Sequence, residues 1–187
     1  MFTHVALVGL MASGKSAVGQ ALADELGVPL VDVDDAIQAR TGRSVRDLWL
    51  EGGEAAYRPL ERDVVLQALA PGHRCVLAAP GGVAVDPVAA EAVAQPHVAV
   101  VYLRAEPRTL AERIRVDPQE RPLVGGDPEA VLADQLRARD DRYRAMAHRV
   151  EEIADRDASD IAAAILAAFD GFPAARAGIA SDGAGQA

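Results

Sequence analysis

The chain has 187 residues and a formal net charge of −9; half of it is hydrophobic and a quarter is charged. That suits one domain with a substantial core, whereas two full domains would be cramped. The acidic balance argues against a nucleic-acid partner, which needs a basic face to neutralise phosphates, and with no apolar run of about 18 residues nothing is expected to span a membrane.

Met1-Phe2-Thr3-His4 runs directly into a first predicted strand, Thr3 to Val8, so no secretory leader is expected. Ser16 to Leu26 reads as an amphipathic helix closed by Gly27, and Val28 to Val31 as a second strand ending at Asp32. Two short helical stretches follow, Asp34 to Arg40 and Ser44 to Leu50, and then a longer helix from about Gly53 to Ala70, ended by Pro71-Gly72. Arg74 to Ala79 is the third strand, stopped by Pro80-Gly81-Gly82; it carries Cys75, the one cysteine, which cannot close an internal disulfide and reads as a small core residue. The expected setting is therefore reducing and cytoplasmic.

Asp86 to Ala94 reads as helix, Val98 to Leu103 as the strongest strand, and Pro107 to Val116 as helix. Asp117 to Gly126, with two prolines and two glycines, reads as a mobile loop and a short lid. Pro128 opens a helix capped by Asp127 that runs to about Ala147, His148 to Ile153 is a weak fifth strand, and Ala158 to Phe169 a final helix. Residues 1–170 are thus expected to form one domain, and 171–187, small, polar and Gly/Ala-rich, a flexible tail without catalytic role. Buried strands alternating with helices predict an α/β, three-layer fold: a central parallel sheet of about five strands, helices on both faces, and the ligand at the carboxyl ends of the strands.

The most specific motif joins the first strand to the first helix. Gly9-Leu10-Met11-Ala12-Ser13-Gly14-Lys15-Ser16 has the G-x-x-x-x-G-K-S spacing of a phosphate-binding loop, in the strand, loop, helix order that the motif requires. Its backbone N–H groups curl around a polyphosphate, the lysine reaches the β and γ oxygens, the serine hydroxyl ligates Mg2+, and the following helix directs its positive end at the anion. Lys15 is the only lysine in a chain whose other basic residues are all arginine, which implies that this slot takes a compact ammonium and not a planar guanidinium.

Asp32 and Asp34 follow the second strand, on the same edge as Lys15 and Ser16. If the chain stays extended there, its period of two puts both carboxylates on one face, with Asp35 turned away as a capping residue. One carboxylate near the metal and one near an acceptor hydroxyl would serve phosphoryl transfer; a solvated turn capping the next helix is the other reading. Arg58 and Glu61 lie three apart on one helical face, which by spacing alone is a surface ion pair, and Arg139 by spacing alone is one of several solvated helix arginines. Gly81 and Gly82 admit close backbone approach to a ligand, and Arg121 in the lid would swing onto the phosphates. A GTPase switch is excluded, because its guanine-reading motif needs asparagine and the chain has none.

Taken together, the loop at 9–16, Asp32-Val33-Asp34, Gly53-Glu54 with Tyr57-Arg58 and Glu61, Pro80-Gly81-Gly82, Arg121-Pro122-Leu123, and Arg139 four residues before Tyr143 resemble the shikimate kinase family of nucleoside-monophosphate-kinase-like P-loop kinases, over about residues 4 to 168. The resemblance implies transfer of the ATP γ-phosphoryl group to a ring hydroxyl of shikimate, giving shikimate 3-phosphate for aromatic amino acid biosynthesis, by a cytoplasmic enzyme expected to be a monomer. It implies ATP on Gly9, Met11, Ala12, Ser13, Gly14, Lys15, Ser16 and Ala17, with Arg113 stacked on adenine and Arg121 as the lid arginine; Mg2+ on Ser16, with Asp32 assisting; and Asp34 holding the acceptor hydroxyl. Lys15, Asp34 and Arg121 are the implied catalytic residues, Arg58 and Arg139 the clamp on the substrate carboxylate, and Gly81 and Gly82 the contacts to the ring. Two positions depart from the family pattern, Pro80 and Ala12, each where glycine is usual. Pro80 removes an N–H beside the acceptor and keeps open a second acceptor class, another polyhydroxylated acid or a cyclitol. A nucleotide-binding regulatory module without turnover is a third reading, which the presence of the catalytic groups disfavours.

Overall fold

The computed structural model describes residues 2–116 and 127–169. The predicted lid with Arg121 and the predicted tail lie outside the described residues. Five parallel strands form one sheet in the order β2-β3-β1-β4-β5: β1 (His4–Val8), β2 (Leu30–Asp32), β3 (Val76–Ala78), β4 (Val98–Arg104) and β5 (Arg149–Glu152). Every residue of β1 is buried, as are the first six of β4, which is why both read as continuous apolar runs and not as alternating ones. Their register, Val5 beside Ala99 and Leu7 beside Val101, and that of β1 with β3, Val5 beside Val76, set the centre of the core.

The helices are α1 (Lys15–Leu26), α2 (Val33–Thr41), α3 (Val45–Ala68), α4 (Pro87–Val93), α5 (Pro107–Val116), α6 (Pro128–Met146) and α7 (Ala158–Ala168), with a 3-10 turn at Gly81–Ala84. The crossover from β1 leads through α1 away to β2, whereas that from β3 leads through α4 across β1 to β4. Two right-handed crossovers in opposite directions put α1 and α4 on opposite faces of the sheet. They also open a crevice beyond the carboxyl ends of β1 and β3, the place where open α/β sheets bind ligands.

Two details differ from the sequence reading. The predicted helices 44–50 and 53–70 join into α3, broken at Gly53, whose φ of 61° and ψ of −163° are non-helical; glycine adopts that conformation at little cost. The 3-10 turn after Pro80 was not expected, and it explains the proline. Position 80 has φ −66°, the value a pyrrolidine ring imposes, and its carbonyl accepts from Val83 N at 3.0 Å. Cys75 is a buried core residue, 3% exposed, and burial pushes its thiol up to about 11.

Candidate active site

The loop after β1 turns back sharply to start α1. Ala12 (φ 61°) and Gly14 (φ 81°) are left-handed, and α1 opens on Gly14 with neither a side-chain cap nor an acidic residue in its first turn. By contrast, α2, α4 and α6 are capped by the side chains of Asp32, Asp86 and Asp127. The α1 terminus therefore keeps its orphan N–H groups and positive dipole end for an anion. Lys15 Nζ lies against the loop, donating to the carbonyls of Gly9 and Leu10 at 3.0 and 2.8 Å and to Ser13 Oγ at 3.4 Å. Next to it, Ser16 Oγ donates to Asp32 Oδ2 at 2.5 Å. Two hard oxygens so placed are the donor set that Mg2+ favours when phosphates and water complete its shell.

Asp32 ends β2 and caps α2, accepting from Asp34 N at 3.1 Å through Oδ1. This corrects two expectations. The cap is Asp32 and not Asp35, and the chain does not stay extended, because Val33, 1% exposed, already opens the helix that carries Asp34 and Asp35. Helical geometry still leaves Asp34 over the cleft, where Tyr57 donates its hydroxyl to Asp34 Oδ1 at 2.7 Å. Burial, and after it the charge of Asp34, hold the Tyr57 phenol well above the ordinary tyrosine range. Burial, then Asp32 and Asp34, raise the Asp35 carboxyl.

On α3, Arg58 bonds Glu61 through Nη1 at 2.5 Å and Glu54 Oε1 through both Nε, at 2.8 Å, and Nη2, at 2.6 Å. Its side chain is 17% exposed and that of Glu61 8%, so the pair is not the solvated surface bridge that spacing alone gives. Burial pushes Glu61 up to about 7, Asp34 and Glu54 add to this, and Arg58 pulls it back. Burial opposes the charge on Arg58, but its bonds to Glu61 and Glu54 outweigh that and raise its pKa. The guanidinium also stands 5.9 Å from the ring centroid of Trp49, within cation–π range.

Arg58 packs against the turn after β3, at Gly82. Arg139 Nη1, from α6, donates to the carbonyl of Gly81 at 3.2 Å, and Tyr143 donates its hydroxyl to the same oxygen at 2.6 Å. The i, i+4 spacing of Arg139 and Tyr143 is what brings both to one carbonyl. Arg113 reaches across the loop from α5 to the carbonyl of Ile153 at 3.1 Å.

All this surrounds one cleft of about 830 Å³. Of the residues expected at a site, Met11, Ala12, Gly14, Lys15, Ser16, Ala17, Asp32, Asp34, Arg58, Gly81, Gly82, Arg113 and Arg139 line it. Gly9 and Ser13 are not among its lining and accept from Lys15 instead. Asp35, expected to turn away, also lines the cleft. Trp49, Glu54 and Gln135 line it too and were not anticipated as site residues.

The family model for shikimate kinase matches residues 11–170. The chain belongs to the shikimate kinase family. It is accordingly an ATP-dependent kinase that phosphorylates a hydroxyl of shikimate, and the other acceptors that Pro80 left open are not favoured. A shikimate kinase of Thermobifida fusca is 40% identical over 84% of this chain and 94% of its own length, and one of Paracidovorax citrulli is 43% identical over 77% and 79%. Among solved structures, the shikimate kinase of Acinetobacter baumannii in complex with shikimate superposes with a TM-score of 0.83 at 32% identity, over 89% of this chain and 92% of that one. The shikimate kinase of Bacteroides thetaiotaomicron gives 0.79 at 26% identity, over 89% and 97%. The shikimate kinase fold thus accommodates Ala12 and Pro80 where glycine was expected.

Proposed function

We propose that the cleft holds ATP over the Gly9 to Ser16 loop and shikimate between Arg58, Arg139 and the Gly81-Gly82 turn, with Asp34 between them. The observation that supports this reading most is that Asp34 shares one cleft with the ammonium of Lys15, the hydroxyl of Ser16 and two arginines from remote helices. Guanidinium forks pair well with a carboxylate, whereas an ammonium at a glycine loop suits a polyphosphate.

In the reaction, Lys15 and the N-terminal amides of α1 hold the β and γ phosphates, and Arg58 and Arg139 anchor the carboxylate of shikimate so that one ring hydroxyl faces Asp34. That hydroxyl oxygen bonds to the γ phosphorus as the bridging β–γ oxygen leaves with ADP, and Asp34 orients the hydroxyl and takes its proton. Little covalent chemistry falls to the protein; positioning and charge stabilisation carry the rate. Ser16 and Asp32 would hold Mg2+, which would supply positive charge to offset the charge on the phosphates. Residues 1–170 act as one kinase domain, a monomer in the cytoplasm; the lid and Arg121 expected from the sequence lie outside the described residues.

The test is steady-state kinetics with ATP and shikimate, with phosphate ester formation followed by phosphorus NMR. Arg58→Ala and Arg139→Ala should each raise KM for shikimate by about tenfold or more while leaving KM for ATP within about twofold. An equal rise for both substrates would mean that the arginines do not hold the acceptor.

A further inference from the structure

The buried phenol of Tyr57 has no part in the reaction as set out above, yet its hydroxyl touches the group on which that reaction turns. Tyr57 is 2% exposed, and its ring packs beside Trp49 with centroids 5.8 Å apart. A phenol has one proton to donate, and here it goes to Asp34 Oδ1 at 2.7 Å. The backbone of Asp34 is tied separately, through its N–H to Asp32 Oδ1 at 3.1 Å. Main chain and carboxylate of Asp34 are thus held by different partners, one on β2 and one on α3. The residue after Tyr57 is Arg58, so two adjacent positions of one helix carry the anchor on Asp34 and the cation proposed for the acceptor's carboxylate.

We propose that Tyr57 is a positioning residue: its hydroxyl fixes the Asp34 carboxylate in the orientation that meets the acceptor hydroxyl, and through Arg58 the same turn of α3 sets the span between the acceptor's carboxylate and its reacting hydroxyl. This rests on the role given to Asp34 above. Because Arg58 is itself held by the buried carboxylate of Glu61, the span is fixed at both ends. Such bracing favours acceptors whose carboxylate-to-hydroxyl distance matches it, and reactions of this kind are sensitive to errors of about 1 Å in placement.

Tyr57→Phe keeps the ring and removes the hydroxyl. It should lower kcat by about tenfold, as expected for a lost bond to a charged group, with KM for ATP and the affinity for ADP unchanged. A core-packing role alone would not produce that split. Calorimetric binding of shikimate in the presence of ADP should weaken several-fold in Tyr57→Phe, but not when Asp34→Asn is already present, since the two act as one unit. A kcat within twofold of the parent, or the same weakening in both backgrounds, overturns the proposal. Wild-type turnover in Asp34→Asn alone would instead overturn the role of Asp34 itself, so the two failures are told apart. If Tyr57→Phe does not fold, 3-fluorotyrosine in place of the three tyrosines keeps every hydroxyl. One fluorine resonance should then move on Asp34→Asn, and three unmoved resonances would overturn the contact.

Discussion

Arg58 lies flat against the bare backbone of Gly82, so close that a β-carbon there would overlap both Nη1 and Cζ of the guanidinium. The glycine is required by the arginine's approach, since Gly82 itself has no positive φ. Gly82→Ala should therefore displace Arg58 from Glu61 and from the acceptor site. The expected result is a rise in KM for shikimate of about tenfold or more with KM for ATP nearly unchanged. Unaltered shikimate kinetics in this variant would mean that Arg58 does not need to rest on the turn. The neighbouring Gly81 leaves more room, since a β-carbon there would stand 3.5 Å from Arg139 Nη1, so Gly81→Ala should be the milder of the two.

Lys15 reaches two backbone carbonyls and a hydroxyl within its own loop, a set of acceptors that a compact, three-donor ammonium satisfies and a planar fork does not. Lys15→Arg should retain the fold, because the residue belongs to no core cluster, and should lose turnover by about a thousandfold. Turnover assays paired with thermal melts decide it. Near-normal rates with arginine would remove the special status of the chain's single lysine.

How much of this was readable beforehand depended on whether the signal was local. β1 and β4 announce themselves because both faces are buried and every position is apolar. The loop from Gly9 to Ser16 is legible because phosphate binding by backbone amides demands a fixed spacing. The break in α3 is foreshadowed by Gly52-Gly53 between two helical patterns. Asp32 and Asp34 were placed at the correct edge by the wrong geometry: the buried side chain of Val33 ends the strand one residue earlier than a period of two requires, and a helix supplies the turn instead. The bond from Tyr57 to Asp34 spans 23 residues, and no periodicity within either helix points to it. The same holds for Arg139 and Gly81, 58 residues apart, which spacing alone leaves as a solvated arginine and a loop.

Glu61 gives a pH prediction. Its folded pKa is pushed up to about 7, from an ordinary 4.5, chiefly by burial. The folded chain thus binds this proton more tightly than the unfolded one, so the associated stability is fully present below about pH 4.5 and is lost as pH rises through about 7. Urea unfolding at pH 5 and pH 7.5 should show a loss on the order of 2 kcal/mol attributable to this group. Glu61→Gln should flatten that slope while keeping an oxygen for Arg58. A variant with the same slope as the parent would place the titration elsewhere.

Trp49 is the only tryptophan in the chain, and it lines the cleft with Arg58 over its ring at 5.9 Å. An acceptor carboxylate that engages Arg58 must compete with Glu54, which accepts from the same guanidinium at 2.6 and 2.8 Å and is the more exposed of its two partners, 59% against 8% for Glu61. Exposed ion pairs contribute little, about 1 kcal/mol or less, so Glu54 should yield to a substrate carboxylate while Glu61 stays. That exchange of carboxylates changes the charge around the indole beneath Arg58, and intrinsic fluorescence should change when shikimate is titrated into the protein. The same titration with Arg58→Ala should leave the emission flat, and Glu54→Gln should tighten the apparent affinity by a few-fold by removing the competitor. Emission that responds equally in the parent and in Arg58→Ala would show that the signal comes from something other than the carboxylate arriving at Arg58.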